Sequence, residues 1–259
     1  MSFPEHLRPD LESWIEQESA LALADLRFPD VRRAVQALST LYVQKRSRGG
    51  LDRRAGDGAG KRAAFASYYA PLHFMGAAVA ADEVRLSDTC EVTEVVDLGC
   101  GTGAVGAAVA RLLPGSPPVT GVDANAGAVR VCARTFQALK VRGRARVGRL
   151  PGALPRVRPG AVVVAGWSLN ELGDADRAVV LGSLEGVVAR GGGLFVVEPL
   201  STRAVPWWPQ LRVRFPAALT TEFRVRVERP EWIRRLDEAT RLDHRDATGR
   251  VMWVAPRRA

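Results

Sequence analysis

The sequence predicts an α/β protein built as a three-layer α/β/α sandwich around a seven-stranded, mostly parallel sheet. Short apolar runs alternate with helix-like stretches from residue 92 onward, and strands separated by helices imply right-handed crossovers and parallel pairing. Runs such as residues 162–165 are apolar throughout, which is typical of strands buried on both faces. The first 90 residues show apolar residues at helical spacing, so an N-terminal helical segment is expected beside the sheet.

Residues 1–90 are predicted to form a helical cap or lid. Apolar residues recur every three or four positions over residues 11–26 and 31–42, and Pro29 and Asp30 mark the start of the second helix. The Gly- and Arg-rich residues 47–60 predict a mobile loop. A third helix is expected near residues 62–81, broken or kinked at Pro71 because proline lacks a backbone N–H.

Residues 91–259 are predicted to form the domain that contains the sheet. Strands are expected at residues 92–98, 119–122, 145–147, 162–165 and 193–198, with helices at residues 105–113, 126–140 and 175–189. The Trp- and Pro-rich residues 200–228 interrupt this alternation, and we expect them to form an insertion on the substrate side.

The end of the chain is predicted to close the sheet with an antiparallel hairpin strand. After a helix at residues 230–239, strands are expected at residues 241–246 and 250–254, joined by a turn at Thr248-Gly249. The complete pattern predicts a Rossmann-like sheet with an antiparallel end.

The composition excludes several classes of protein. No apolar run reaches the roughly 18 residues of a membrane span, and the N-terminus lacks the apolar stretch of a secretory leader, so we expect a cytoplasmic protein without membrane contact. The three cysteines and three histidines are scattered without a Cys-x-x-Cys pair. Neither a metal site nor a disulfide framework is therefore predicted.

The net charge of +9 leaves two interpretations open. A basic protein favours an anionic partner such as RNA. Nearly all the basic residues are arginines, however, with lysine only at positions 45, 61 and 140, and a GC-rich coding sequence produces the same skew.

A glycine-rich loop follows the first predicted strand and is the most informative stretch of the chain. Asp97 ends the strand, and Gly99, Gly101 and Gly103 follow at alternate positions before a predicted helix. Glycines allow a tight turn and close approach of a ligand to the backbone, and the start of a helix presents free N–H groups. Asp97 would attract a cationic group rather than a pyrophosphate.

This loop resembles the first motif of the class I S-adenosylmethionine (SAM)-dependent methyltransferases, an acidic residue followed by Gly-x-Gly-x-Gly. The resemblance implies that SAM is bound here, with its ribose hydroxyls on Asp123 at the end of the next strand. The family often has an acidic residue after the third strand, where this chain has residues 148–152 without one, and Leu150 is expected to contact the adenine instead. The residues expected to hold the cofactor are Asp97, Gly99, Cys100, Gly101, Gly103, Asp123, Ala124, Leu150, Trp167 and Ser168.

A nicotinamide dinucleotide is the rival ligand. Gly101, Gly103 and Gly106 also satisfy the Gly-x-Gly-x-x-Gly fingerprint, which is a weak signal on its own. Asp97 before the glycines and the predicted antiparallel hairpin favour SAM.

The segment after the fourth strand is expected to line the substrate side, because ligands bind at the carboxyl ends of parallel strands. Asn170 is expected to orient the substrate or cofactor, and Glu171 or Glu198 to accept a proton; alternatively, Glu171 caps the next helix and Glu198 bonds to nearby backbone. Four aromatic or imidazole rings are expected either to reach the ligands or to pack in the core, namely Tyr69, His73, Trp207 and Trp208.

Two short motifs, residues 169–172 and 191–199, are also similar to the Rsm-type methyltransferase-like proteins of the small ribosomal subunit. The group's cysteine cluster is missing here. Two functions follow from the resemblances: an enzyme that methylates an unidentified small-molecule or RNA acceptor, and a non-catalytic SAM-binding RNA or ribosome-assembly factor.

Overall fold

The computed structural model describes residues 2–48 and 58–257, and of residues 42–48 it describes only the backbone. The helices are α1 (Arg8–Asp25), α2 (Phe28–Arg48), α3 (Ala59–Ala64), α4 (Ala70–Glu83), α5 (Ala104–Leu112), α6 (Ala126–Ala138), α7 (Asp174–Ala189), α8 (Trp208–Arg214) and α9 (Glu231–Thr240). The strands are β1 (Val95–Leu98), β2 (Val119–Asp123), β3 (Gly143–Val147), β4 (Val162–Gly166), β5 (Gly193–Glu198), β6 (Leu219–Arg226) and β7 (Asp246–Val254). Most of the predicted loop at residues 47–60 lies outside the described residues. At its two ends, residues 47–48 belong to α2 and α3 begins at Ala59.

The strands form one seven-stranded sheet in the order β3-β2-β1-β4-β5-β7-β6. The pairs among β1 to β5 are parallel, whereas β7 runs antiparallel to both β5 and β6. Helices cover both faces of this sheet, so the predicted fold class is confirmed.

Alternate side chains of the central strands enter two separate cores. Val95 belongs to a core that includes residues of α1, α2, α4, α5, α6 and α9, while Val96 belongs to a second core that includes residues of α7 and α8. The N-terminal helices therefore share a core with the sheet rather than forming a core of their own.

Pro71 does not break the predicted third helix. A π-helical turn, Phe65–Tyr69, joins α3 to α4, and the N–H of Ala70 bonds to the carbonyl of Phe65. Pro71 lies within the first turn of α4, where a missing N–H is tolerated.

The predicted strand at residues 250–254 is confirmed as part of β7, but the predicted strand at residues 241–246 and the turn at Thr248-Gly249 are wrong. Those two residues lie inside the continuous strand β7, and Gly249 pairs with Phe223 of β6. A Cβ on Gly249 would lie 2.8 Å from the Cζ atom of Phe223, so this glycine makes room for a neighbouring ring rather than for a turn.

The partner strand of β7 comes from the segment that was predicted to be an insertion. Within residues 200–228, residues 219–226 form β6, and α9 rather than a tight turn connects β6 to β7. Helix α9 packs against α2 and the Phe65–Tyr69 turn. In the part of the chain that the structure describes, no helix has the length and apolar character needed to cross a membrane.

Candidate active site at the carboxyl ends of the strands

The glycine loop follows β1 and leads into α5. Gly99, Gly101 and Gly103 have φ angles of 70°, 53° and 83°, a left-handed conformation that favours glycine. A Cβ on Gly103 would lie 2.5 Å from the Sγ atom of Cys132, which explains this glycine by close packing against α6. A Cβ on Gly101 would meet no atom within 4 Å, so a ligand can approach the backbone there.

Asp123 connects the glycine loop to the end of β2. One carboxylate oxygen accepts a hydrogen bond from the N–H of Gly101 at 2.9 Å, and the other accepts from the N–H of Asn125 at 2.7 Å. The side chain of Asn125 in turn caps the first turn of α6. Since each carboxylate oxygen has a second lone pair, Asp123 can still accept bonds from ligand hydroxyls. Ala124 beside it is exposed.

Asp97 is buried below the loop, with 1% of its surface exposed. Its Oδ2 atom accepts a hydrogen bond from the N–H of Gly106 at 3.0 Å. Burial raises the pKa of Asp97 to about 7; the bond from Gly106 opposes this rise and the charge of Asp123 adds to it. A Cβ on Gly106 would lie 2.6 Å from Oδ2, so the absence of a side chain at this position leaves room for the Asp97 carboxyl group.

Cys100 directs its side chain away from the open face of the loop. A Cβ on Gly121 of β2 would lie 2.7 Å from the Cys100 Sγ atom, and the thiol of Cys132 is its neighbour. The contact with Cys132 and burial both raise the pKa of Cys100, which keeps the thiol protonated. Only the backbone of Cys100 can therefore face a ligand bound at the loop. Leu150 follows β3 and is buried among residues that include Leu98.

The end of β4 is held against the N-terminal helices by a ring stack. The indole of Trp167 lies parallel to the imidazole of His73, with centroids 4.8 Å apart and planes 16° apart. Trp167 has a φ of 50°, which is uncommon outside glycine, and a Cβ on Gly76 of α4 would lie 3.0 Å from its ring. Burial lowers the pKa of His73 to about 4, and the nearby charge of His244 adds to this effect. His73 is therefore uncharged at neutral pH.

Ser168 links the end of β4 to the end of β1. Its hydroxyl donates a hydrogen bond to the carbonyl of Leu98 at 2.7 Å. A Cβ on Gly99 would lie 2.5 Å from the Cβ of Ser168, so the two loops are in direct contact.

The proposed proton acceptors lie in different surroundings. Glu198 ends β5 and is fully buried, and its Oε1 atom accepts a hydrogen bond from the N–H of Asn170 at 3.3 Å. Glu171 is exposed, and the residue that caps α7 is Gly173 rather than Glu171. The Oδ1 atom of Asn170 is buried and has no hydrogen-bond partner among the described residues. The structure thus brings Asn170 and Glu198 together and leaves Glu171 at the surface.

Three of the rings considered for ligand stacking are buried in the core. Trp207 and Trp208 are only 4% and 6% exposed, and each packs under a guanidinium group, of Arg177 and Arg250 respectively. The hydroxyl of Tyr69 donates to the carbonyl of Val35 at 3.2 Å. These three rings therefore contribute to packing, and His73 alone reaches the β4 loop.

A polar cluster next to this site was missed by the sequence analysis. It joins Tyr68 of the π-helical turn, Asp237 of α9 and His244 of the following loop. Tyr68 is 169 residues from Asp237 in sequence, so no local pattern could have revealed the contact.

Comparison with known proteins agrees with this geometry. Residues 95–192 match the model of a family described as a methyltransferase domain. The match begins at the first residue of β1 and ends just before β5, so it includes the glycine loop, Asp123 and the β4 loop. The resemblance to class I SAM-dependent methyltransferases is confirmed for this part of the chain. No curated protein matches the chain in sequence.

Several solved structures are similar to the chain at low sequence identity. The plantazolicin methyltransferase BpumL in complex with SAH is 11% identical, covering 92% of this chain and 100% of that chain with a TM-score of 0.49. TehB from Haemophilus influenzae is 12% identical, covering 69% of this chain and 62% of that chain with a TM-score of 0.46. Precorrin 8w decarboxylase from Methanobacterium thermoautotrophicum is 17% identical, covering 69% of this chain and 89% of that chain with a TM-score of 0.43. Similarity at this level indicates neither an activity nor a substrate.

Proposed function

We propose that this protein transfers a methyl group from SAM to an acceptor that is a small molecule or an RNA. The observation that carries the proposal is the open backbone face at Gly101, in the loop that follows Asp97 and whose N–H at Gly101 bonds to the carboxylate of Asp123. A cofactor with an ammonium group and two ribose hydroxyls fits these two carboxyl groups. When bound, SAM supplies a methyl group made electrophilic by a positively charged sulfur.

Each end of the site has a separate binding task. Asp123 accepts the ribose hydroxyls, Ala124 and Leu150 border the adenine, and Asp97 attracts the ammonium group. The backbone of Gly99, Cys100, Gly101 and Gly103 follows the cofactor, and Trp167 and Ser168 border its reactive end.

Methyl transfer depends mainly on positioning the acceptor and excluding water. The stack of His73 on Trp167 closes the site from the side of the N-terminal helices, which supports the role of residues 1–90 as a cap. Asn170 is suited to orient the acceptor, because its buried Oδ1 atom is available for a donor. Glu198 and Glu171 stay as candidate proton acceptors.

The nicotinamide alternative has less support. The dinucleotide-binding sheet is mostly parallel with the strand order 3-2-1-4-5-6, whereas this sheet ends in β7 and β6, with β7 antiparallel to both of its neighbours. Gly106 moreover accommodates the Asp97 carboxyl group beneath the loop.

Calorimetric titration with S-adenosylhomocysteine (SAH), beside NADH, tests the proposal. We expect SAH to bind with a dissociation constant on the order of 1 μM, about −8 kcal/mol, and NADH not to bind. Binding of NADH alone would support redox chemistry instead. SAH binding without methyl transfer, with RNA that copurifies and dissociates in salt, would support the SAM-binding assembly-factor alternative. Absence of binding by both ligands would refute the proposed function.

A matched pair of variants locates the cofactor. Gly101→Ala and Gly115→Ala both place a methyl group in open space at a left-handed residue, with φ values of 53° and 75°. Each should therefore lose about 1–2 kcal/mol of stability. Gly115 precedes β2 and so lies at the amino ends of the parallel strands, opposite to the glycine loop. Only Gly101→Ala should therefore weaken SAH binding, by roughly 10- to 100-fold. Equal SAH affinity in the two variants would place the cofactor elsewhere.

A further inference from the structure

A buried carboxylate at the junction of α9 and the N-terminal helices is the centre of an extensive polar cluster. Asp237 is 1% exposed and accepts a hydrogen bond from the hydroxyl of Tyr68. The Nδ1 atom of His244 lies 2.9 Å from Oδ1 of Asp237, and Nη1 of Arg229 lies 2.5 Å from Oδ2. The backbone N–H of His244 also donates to Oδ2, at 3.3 Å.

This cluster lies on the carboxyl side of the sheet, where the proposed site is. Strand β7 pairs its Arg250 with Glu198, the last residue of β5, and begins four residues earlier at Asp246. The loop that holds His244 therefore lies beyond the carboxyl end of β5. The cluster is also connected to the ring stack of the site through ring contacts, because Tyr68 packs on Tyr69, Tyr69 on Phe65, and Phe65 on His73.

The charges of the cluster fix where its protons are. Burial alone would raise the pKa of Asp237, but the bonds from His244, Tyr68 and Arg229 outweigh it and lower this pKa. Burial and the charge of Asp237 both raise the pKa of Tyr68, which therefore stays a donor. Asp237 is thus a carboxylate at neutral pH.

An ionised carboxylate oxygen 2.9 Å from Nδ1 requires a proton on that nitrogen, since two lone pairs would otherwise face each other. In the neutral imidazole of His244, Nε2 then carries the lone pair. The His244 side chain is 34% exposed, so a ligand can reach it.

We infer that His244 is a general base for methyl transfer to an aromatic hydroxyl group, with Asp237 as the residue that positions it. The inference rests on the proposed function and specifies its acceptor. A neutral hydroxyl is a weak nucleophile and benefits from a base, whereas a thiol ionises more readily on its own. The rings of Phe65, His73 and Trp167 pack in series, and Tyr69 connects Phe65 to Tyr68 of the cluster. Aromatic surroundings of this kind suit a planar acceptor.

The step is balanced. Nε2 of His244 takes the hydroxyl proton, the hydroxyl oxygen bonds to the methyl carbon of SAM, and the carbon–sulfur bond breaks with release of SAH. His244 leaves the step as an imidazolium beside the Asp237 carboxylate and returns its proton to water. Neither an oxidant nor a metal ion is needed.

The ionisation of 4-nitrophenol tests the inference without turnover, because its phenolate absorbs visible light and the phenol does not. The probe is titrated at pH 6 into protein saturated with SAH. An adjacent imidazolium stabilises the phenolate, so the apparent pKa of the bound probe should fall by about 1 and its absorbance should rise several-fold over the free probe.

Variants separate a base from a merely structural cluster. His244→Gln and His244→Ala should abolish the rise in phenolate absorbance, and Asp237→Asn should reduce it. The control His6→Gln, which changes an exposed histidine in the Glu5–Leu7 turn, should behave like the wild type. An undiminished rise in both His244 variants would contradict the role of His244.

The same titrations distinguish the inference from the proposed function. If wild-type protein binds SAH but neither binds nor ionises the probe, the inference fails and SAM binding stands. If wild-type protein does not bind SAH, the proposed function fails. Normal SAH affinity in the His244 variants, with an altered probe spectrum, supports both.

Discussion

Replacing Asp97 with asparagine should make the ligand-free protein more stable and its cofactor binding weaker. Burial raises the pKa of Asp97 from 3.8 to about 7, so the folded state holds the proton more tightly than the unfolded chain does. As the pH rises from 3.8 to 7, the unfolded chain ionises first and the stability contributed by this group is lost. At about 1.4 kcal/mol for each pH unit, the loss reaches about 4 kcal/mol at pH 7.

The Asp97→Asn variant has no such loss, and the amide oxygen of the introduced side chain can still accept the bond from Gly106. The free energy of unfolding of the variant should therefore exceed that of the wild type by up to about 4 kcal/mol at pH 7.5, and by much less at pH 4.5. Urea unfolding at the two pH values measures this. The variant is compared with the wild type separately at each pH. The lowered pKa of His73 makes the wild type less stable as the pH falls from 6.5 to 4, which is opposite to the effect of Asp97.

SAH binding should respond in the opposite way. If the SAH ammonium group binds ionised Asp97, the carboxyl group of Asp97 in the ligand-free protein must first lose its proton at pH values below 7. SAH affinity of the wild type should then rise about 25-fold from pH 5.5 to 7.5, with little change in the variant. A less stable Asp97→Asn protein at pH 7.5, or a wild-type SAH affinity that does not vary with pH, would refute this account of Asp97.

Two further variants test how the site is supported. Gly103→Ala should lose roughly 2–4 kcal/mol of stability, because its Cβ would lie 2.5 Å from the Sγ atom of Cys132 at a left-handed residue; urea unfolding measures this, and Cys132→Ala should restore part of the loss. Tyr68→Phe should cost about 1–3 kcal/mol, because it removes a donor from the buried carboxylate of Asp237. Tyr69→Phe, which removes a bond to a backbone carbonyl, is its control, and an equal loss in the two tyrosine variants would contradict the special role of Tyr68.

The sequence predicts those parts of the fold whose signal is local. Residues 162–165 are continuously apolar and form most of β4, because a strand buried on both faces needs no polar alternation. Strand β6 was missed because it is an edge strand: Phe223 and Val225 face the core, while Arg224 and Arg226 are exposed. Charged residues are typical of sheet edges and resemble a loop in a single sequence.

The candidate site likewise has residues with a local sequence signal and contacts without one. Asp97, the glycines and Asp123 were predicted as ligand-binding because each stands at the end of a recognisable strand. The direction of the Cys100 side chain and the stack of His73 on Trp167 depend on elements far apart in sequence, so the residues alone give no signal for them.

The wrongly placed hairpin and the missed polar cluster involve the same part of the chain. The helix predicted at residues 230–239 is α9, which connects the unpredicted strand β6 to β7 and carries Asp237 into contact with Tyr68 of the N-terminal segment. The C-terminal end of the sheet and the N-terminal helices are therefore joined by bonds to a buried carboxylate. Separating them at this point would leave that charge buried without its partners, which is strongly destabilising. The cap and α9 are thus expected to keep their relative position while ligands enter, and this fixed contact holds His244 at the carboxyl edge of the sheet.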